Sequence, residues 1–245
     1  MNLTIDIGNT CTKLVAFEGD MLVEQLRMVN GDWGQIDVFC GKYHFDRGIY
    51  STVVRLSDDT EQMLRSLPFP MIKLEPGVTP IPITNSYATP ATLGADRLAA
   101  AVGAYLQNKG REVLIIDAGT CITYDFVTSS GEYVGGNISP GTAMRLKALN
   151  SFTSALPLVD GHGATPAMGD TTETAIRSGV MRGVGYEIEG YVRDFLKKYP
   201  RLCVCLTGGA HLDQPLAAYD CVFVDDYIVP RGLNFILMYN SGFEY

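Results

Sequence analysis

The chain lacks the common nucleotide signatures. It has no Gly-x-x-x-x-Gly-Lys-Ser/Thr loop and no Gly-x-Gly-x-x-Gly opening a helix. It has neither the His-Arg-Asp loop nor the Asp-Phe-Gly of a protein kinase. It also lacks a basic excess: Lys and Arg number 19 against 27 Asp and Glu, a net charge of −8. A basic face for nonspecific nucleic-acid binding is therefore not expected, and an anionic ligand must be met by local donors rather than by the overall field. Histidine is scarce, at positions 44, 162 and 211, with no zinc spacing. The cysteines at 11, 40, 121, 203, 205 and 221 show no paired-ligand spacing either. Cys203 and Cys205 lie on one face of an expected strand and could not easily bridge. Reduced thiols and a cytoplasmic protein are expected. No run of about 18 apolar residues suggests a membrane span, and the first residues carry no basic segment of a signal peptide.

What is present is ordinary globular material, 47% hydrophobic and 19% charged, enough for a sizeable core. It also contains a repeat. Asp6-Ile7-Gly8-Asn9-Thr10 follows a short apolar strand, and so does Asp117-Ala118-Gly119-Thr120, 111 residues later. A period close to half of 245 residues suggests a duplicated domain rather than a solenoid. Each copy reads as strand, acid, Gly turn with a hydroxyl, then a second strand. Two such hairpins facing each other across a cleft would cradle a nucleotide phosphate tail and its metal. Backbone N–H groups would face the phosphate oxygens, and the carboxylates would hold Mg²⁺ or its waters.

Strands are expected at 2–8, 12–18, 21–29 and 49–54, and a helix at 58–67. The Pro-rich stretch 75–90 should be extended, followed by a helix over 90–109 that stops at Gly110. The second half should repeat the plan, with strands at 113–117, 121–127 and 132–138. Helices follow at 141–151 and 170–198. After them come a strand at 202–206, a short helix past Gly208-Gly209, a strand at 221–224 and a last helix from about 230. The class is α/β, with a boundary near 110 separating halves 1–110 and 111–245. The 170–198 helix carries Gly179, Gly183, Gly185 and Gly190, each costing about 1 kcal/mol relative to Ala. Two readings stay open: close packing within the chain, or against a partner subunit.

The acid-Gly-Thr pair resembles the superfamily of acetate and sugar kinases, Hsp70 and actin, which implies duplicated ribonuclease-H-like halves with a central nucleotide cleft. Further segments narrow the resemblance. Asp6-x-Gly8-Asn9-Thr10-x-x-Lys13, Gly94-Ala95-Asp96-Arg97, Asp117-x-Gly119-Thr120 with Thr123 and Asp125, Gly136-x-Ile138-x-Pro140-Gly141 and Thr207-Gly208-Gly209 resemble, in order and over nearly the whole chain, the type III pantothenate kinases. The resemblance implies a homodimer that transfers the ATP γ-phosphate to pantothenate, the first step toward coenzyme A.

It also implies roles. Asp96 would be the base that accepts the substrate hydroxyl proton; its bland alternative is a carboxylate favoured at a helix start. Gly94, Ala95, Asp96 and Arg97 would meet pantothenate, with the Arg97 fork on its carboxylate; an ion pair is the alternative. Tyr87 and Thr172 match substrate contacts, against packing and helix capping respectively. Gly8, Asn9, Thr10, Cys11, Thr12 and Lys13 would wrap the ATP phosphates from one hairpin and Thr120 from the other. Asp6 would hold Mg²⁺ through waters, and Asp117 a monovalent cation, K⁺ or NH₄⁺. A nucleotide-binding module without turnover, and another kinase or a phosphatase on the same fold, are the competing readings. Asp96 beside Arg97 distinguishes them, since a pure binding module needs no base beside an anion clamp.

Overall fold

The computed structural model of the chain describes residues 1–209, 216 and 219–243. They form two compact units. The first comprises Met1–Gly110, Phe126–Gly135 and Tyr227–Tyr245; the second comprises Arg111–Asp125 and Gly136–Asp226.

The first unit begins with β1 (Asn2–Ile7), β2 (Cys11–Glu18) and β3 (Met21–Val29), a meander joined by tight turns. A short α1 (Gly34–Cys40) leads to β4 (Arg47–Thr52), and α2 (Asp58–Arg65) leads to β5 (Met71–Lys73). The sheet order is β3-β2-β1-β4-β5, with β1 antiparallel to β2 and parallel to β4. Buried central strands need apolar residues on both faces. β1 supplies them, with Leu3, Thr4, Ile5 and Ile7 all buried and only Asp6 polar and partly accessible within that run. Ile36 and Phe39 of α1 and Leu64 of α2 close the core on Leu3, Ile5 and Leu14. Ser57 caps α2 by accepting from the Thr60 N–H, and Asp58, Asp59 and Glu61 sit in its first turn, complementing the dipole.

The Pro-rich stretch is free of α-helix, as expected, but it is not extended throughout: it opens with a turn in which the Val78 and Thr79 N–H groups donate to the Glu75 carbonyl, with Gly77 at φ +82°. It contributes only β6 (Thr84–Asn85) before one 3-10 turn at Pro90–Thr92. The helix expected over 90–109 is broken here: Leu93 is extended, and α3 runs over Ala95–Gln107. Its C-cap is Asn108, and Gly110 lies two residues further on with φ +77°. The last helix, α6 (Ile228–Tyr239), joins this unit and packs along α3. Contact is backbone to backbone. A Cβ on Gly103 would stand 3.0 Å from the Gly232 nitrogen, and one on Gly232 would overlap the Ala99 carbonyl oxygen.

The second unit repeats the order. β7 (Val113–Ala118), β8 (Cys121–Val127), β9 (Glu132–Pro140), β10 (Cys203–Thr207) and β11 (Val222–Val224) lie as β9-β8-β7-β10-β11, with β6 beyond β9. β10 is parallel to both β7 and β11. The duplication extends to burial. β1 and β7 are each six residues long, with the partly accessible acid fifth, and β2 and β8 share one inward–outward pattern over seven residues. Helices α4 (Thr142–Ser151) and α5 (Thr172–Lys198) pack on each other. α5 opens with a capping box between Thr171 and Thr174. A Cβ at Gly179, Gly183 or Gly190 would meet nothing within 4 Å, so packing within the chain does not explain these three glycines. The short helix expected after Gly209, with Ala210, lies outside the described residues.

Candidate active site

The first hairpin turn spans residues 8–10. The Gly8 N–H donates to the Cys11 carbonyl at 3.1 Å, and Asn9 and Thr10 are exposed. Asp6 stands just below, at the end of β1, and accepts from the Ser51 hydroxyl of neighbouring β4 at 2.9 Å. Its carboxyl is pushed up from 3.8 to about 6. Burial is the main cause and the Asp96 charge the second; Ser51 and Lys13 pull the other way. The structure thus brings Asp6, Lys13, Ser51 and Asp96 into one electrostatic cluster, although Asp6 and Asp96 are 90 residues apart in sequence.

Asp96 is the second residue of α3, and its Oδ1 accepts from the Arg97 N–H at 2.8 Å. A Cβ on Gly94 would stand 2.6 Å from that oxygen, so a side chain there would displace the carboxylate. Ala95 and Arg97 are buried, Arg97 only 7% exposed, and the Arg97 Cγ and Cδ pass close to Gly94 at the head of the helix. Tyr87 lies on the extended segment before α3. Its N–H donates to Asn85 Oδ1, and its ring sits 6.1 Å from that of Tyr133 and against Gly135. Thr12 is fully buried, so its side chain faces inward and only its backbone borders the turn. The Cys11 Sγ accepts from Arg27 Nε at 3.2 Å.

In the second unit the Gly119 N–H donates to the Cys121 carbonyl at 3.0 Å, closing a turn one residue shorter than the first. The Asp117 carboxylate lies beside it, 3.2 Å from where a Gly119 Cβ would be. Gly141 donates its N–H to the Thr120 carbonyl at 3.1 Å, and a Cβ there would stand 2.5 Å from the Gly119 and Thr120 oxygens. Only glycine allows that approach. Arg145 fixes the same segment, donating to the Pro140 carbonyl and the Ser139 hydroxyl at 2.7 Å each and to Glu187 at 2.6 Å. Glu187 also accepts from Tyr124 at 2.8 Å. Burial pushes the Glu187 carboxyl up, but the bonds from Arg145, Ser139 and Tyr124 outweigh it and hold it below the usual carboxylate range. Thr172 is exposed at the first turn of α5, on a groove of about 880 Å³ lined by Leu149, Phe152, Leu156 and Ile176. Gly209 borders a separate pocket of about 620 Å³ with Thr142, Ala143, Asp160, His162 and Met181.

Sequence reasoning missed Ser51, which no motif marks, and the Arg145–Glu187–Tyr124 network. Arg145 sits four residues past Gly141, where the Gly-rich turn drew attention to glycines and not to the helix behind them.

No cluster of three or more His, Cys, Asp or Glu residues able to cage a metal occurs among the described residues. Asp6 with Asp96 nearby suits a divalent ion that keeps most of its waters and takes its other oxygens from phosphates, the habit of Mg²⁺. The raised Asp6 carboxyl marks a place where added positive charge is favourable. Among the described residues no helix is long and apolar enough to cross a membrane.

A family model for type III pantothenate kinase matches residues 2–194. A curated type III pantothenate kinase of Phocaeicola vulgatus is 48% identical over 241 residues, covering 98% of this chain and 99% of that one. One from Porphyromonas gingivalis strain W83 is 40% identical over 243 residues, covering 98% of each. Among solved structures, a protein of Campylobacter jejuni described as a Baf family transcriptional activator superposes with a TM-score of 0.60 at 24% identity, over 98% of this chain and 100% of that one. A 2-dehydro-3-deoxygalactonokinase protein of Sinorhizobium meliloti gives 0.57 at 12%, over 99% and 100%. These two likenesses speak for the fold alone, the duplicated ribonuclease-H-like, actin-like α/β architecture already visible in the repeated strand order. By the family match and the full-length relatives, the chain belongs to the type III pantothenate kinase family.

Proposed function

We infer that the protein phosphorylates pantothenate with ATP, giving 4′-phosphopantothenate, the first step of coenzyme A biosynthesis. The observation that carries the chemistry is the cluster of Asp6, Lys13, Ser51 and Asp96 beside a buried Arg97. Phosphoryl transfer needs positioning and charge stabilisation more than covalent help. The backbone of residues 8–12 with Lys13, and Thr120 from the second turn, hold the ATP phosphates. Glycines 208 and 209 with the pocket beside them suit the nucleoside. Arg97 pairs with the pantothenate carboxylate through its bidentate fork, and Tyr87 and Thr172 complete the acid's binding. The pantothenate hydroxyl oxygen attacks the γ-phosphorus, ADP leaves, and Asp96 takes the hydroxyl proton. Mg²⁺, when bound through waters at Asp6, neutralises charge on the phosphate oxygens.

The Asp117 carboxylate, beside the Gly119 turn, offers oxygen suited to a hard cation, and on the family resemblance we assign it K⁺ or NH₄⁺. The glycines of α5 that face open space support a homodimer, in which a second copy meets that helix. A monomer mass in light scattering at micromolar concentration would remove the dimer. The six cysteines, none of them bridged, support a cytoplasmic location. The deciding assay is ADP release with MgATP, with and without pantothenate, in the presence of K⁺. No pantothenate-dependent increase would overturn the kinase assignment.

A further inference from the structure

Asn30, just past β3, makes bonds that the catalytic cluster does not explain. Its Nδ2 donates to the Gly8 carbonyl at 2.8 Å and to the Asn9 carbonyl at 3.4 Å. Its Oδ1 accepts from the Thr12 hydroxyl at 2.7 Å, and Thr12 is fully buried. The two carbonyls can only accept, so they fix the amide's orientation: Nδ2 faces the turn, and Oδ1 is left to accept from the Thr12 hydroxyl.

A planar trans peptide places its carbonyl and the following N–H on opposite sides. Holding the Gly8 carbonyl toward Asn30 therefore turns the Asn9 N–H away from it. Holding the Asn9 carbonyl does the same to the Thr10 N–H. Both residues lie exposed at the turn, and the peptide geometry sets these two N–H groups on the side away from Asn30. Successive N–H groups pointing one way form an anion-binding nest.

The second half holds its turn from the corresponding place. β3 and β9 are both nine residues long. The residue after β3 is Asn30 and the residue after β9 is Gly141, whose N–H donates to the Thr120 carbonyl. One turn is braced by a side-chain amide, the other by a backbone amide. The hydroxyl that steadies Asn30 has no equivalent, since Ile122 occupies in β8 the place of Thr12 in β2.

We propose that Asn30 is a positioning residue for the nucleotide: steadied by Thr12, it aims the Asn9 and Thr10 N–H groups at the ATP phosphates. This rests on the assignment of residues 8–13 to phosphate binding.

The test measures the MgATP dissociation constant, both KM values, kcat and Tm for Asn30→Ala, Asn30→Asp, Thr12→Val and Lys13→Ala. Asn30→Ala is expected to weaken MgATP by about tenfold, the worth of one to two hydrogen bonds. The KM for pantothenate should stay within about twofold and Tm within a few degrees. Asn30→Asp should be worse, because a carboxylate would face two carbonyl oxygens. Thr12→Val, nearly isosteric and safe for folding, should show a smaller loss. Combined with Asn30→Ala it should add nothing, as expected of residues acting in one chain of contacts. If Lys13→Ala weakens MgATP while Asn30→Ala does not, the role of Asn30 is overturned. If neither does, the phosphate assignment of the turn falls, and this inference with it. A fall in Tm with both KM values rising together would make Asn30 a folding residue and likewise overturn the proposal.

Discussion

Gly232 of α6 touches the Ala99 carbonyl of α3 with no room for a methyl group between them. Asp96 and Arg97 lie in the first turn of α3, about one turn before this crossing. Gly232→Ala should therefore destabilise the protein by about 1–3 kcal/mol, the usual cost of overpacking. It should also lower kcat by shifting the helix that carries the base. Denaturant melts combined with kinetics measure both effects. A native-like melt would mean the helices separate more readily than their backbone contact implies.

Asp96→Asn keeps the size of the side chain and removes the proton acceptor. We expect kcat to fall about 10²–10⁴-fold, with the MgATP dissociation constant little changed. Near-normal turnover would reduce Asp96 to a carboxylate that merely favours a helix start.

Asp6 makes a prediction of the opposite kind for the ligand-free protein. Its carboxyl titrates near 6 rather than 3.8, so folding disfavours its charged form. The stability gained from the neutral form is complete below pH 3.8 and is lost as pH rises through 6. Asp6→Asn stays neutral throughout, so at pH 7.5 its ligand-free Tm should exceed the parent's by several degrees, with the gap closing toward pH 4. MgATP binding should behave inversely, weakening in the parent below pH 6 and impaired in the variant at every pH. Equal Tm values at pH 7.5 would show that the Asp6 charge costs the fold nothing.

Activity should require K⁺ or NH₄⁺. Replacing K⁺ by Na⁺ or Tris should cost about tenfold, the worth of one charge-assisted contact, and Asp117→Asn should abolish the difference. Full activity in Tris alone would remove the cation from Asp117 and leave the kinase chemistry untouched.

The duplication was readable because its signal is local. An acid fifth in a short apolar strand, then Gly and a hydroxyl, needs only adjacent residues, and the long α5 declared itself by the spacing of Ile176, Val180, Val184 and Ile188. Short elements were harder to see. α1 spans two turns and buries only Ile36 and Phe39, and β5 has three residues, so neither repeats its period often enough to stand out. The break between the 3-10 turn and α3 was hidden because Leu93 and Gly94 interrupt an otherwise helical pattern. Asp96 and the first turn were nameable from their motifs. Their braces were not: Ser51, Asn30 and Glu187 reach the site through pairings and packing distant in sequence, which only the folded chain brings together.

The final helix has a consequence for biogenesis. α6 is made after the second unit, yet it seats Ile228, Val229, Leu233, Ile236 and Leu237 in the first unit, along α3 and against β1. The ribosome therefore releases the Asp6 and Asp96 segments long before the partner of α3 exists. The N-terminal half cannot finish folding in the order in which it is made, and it waits with an apolar helix face uncovered while the entire second unit is synthesised.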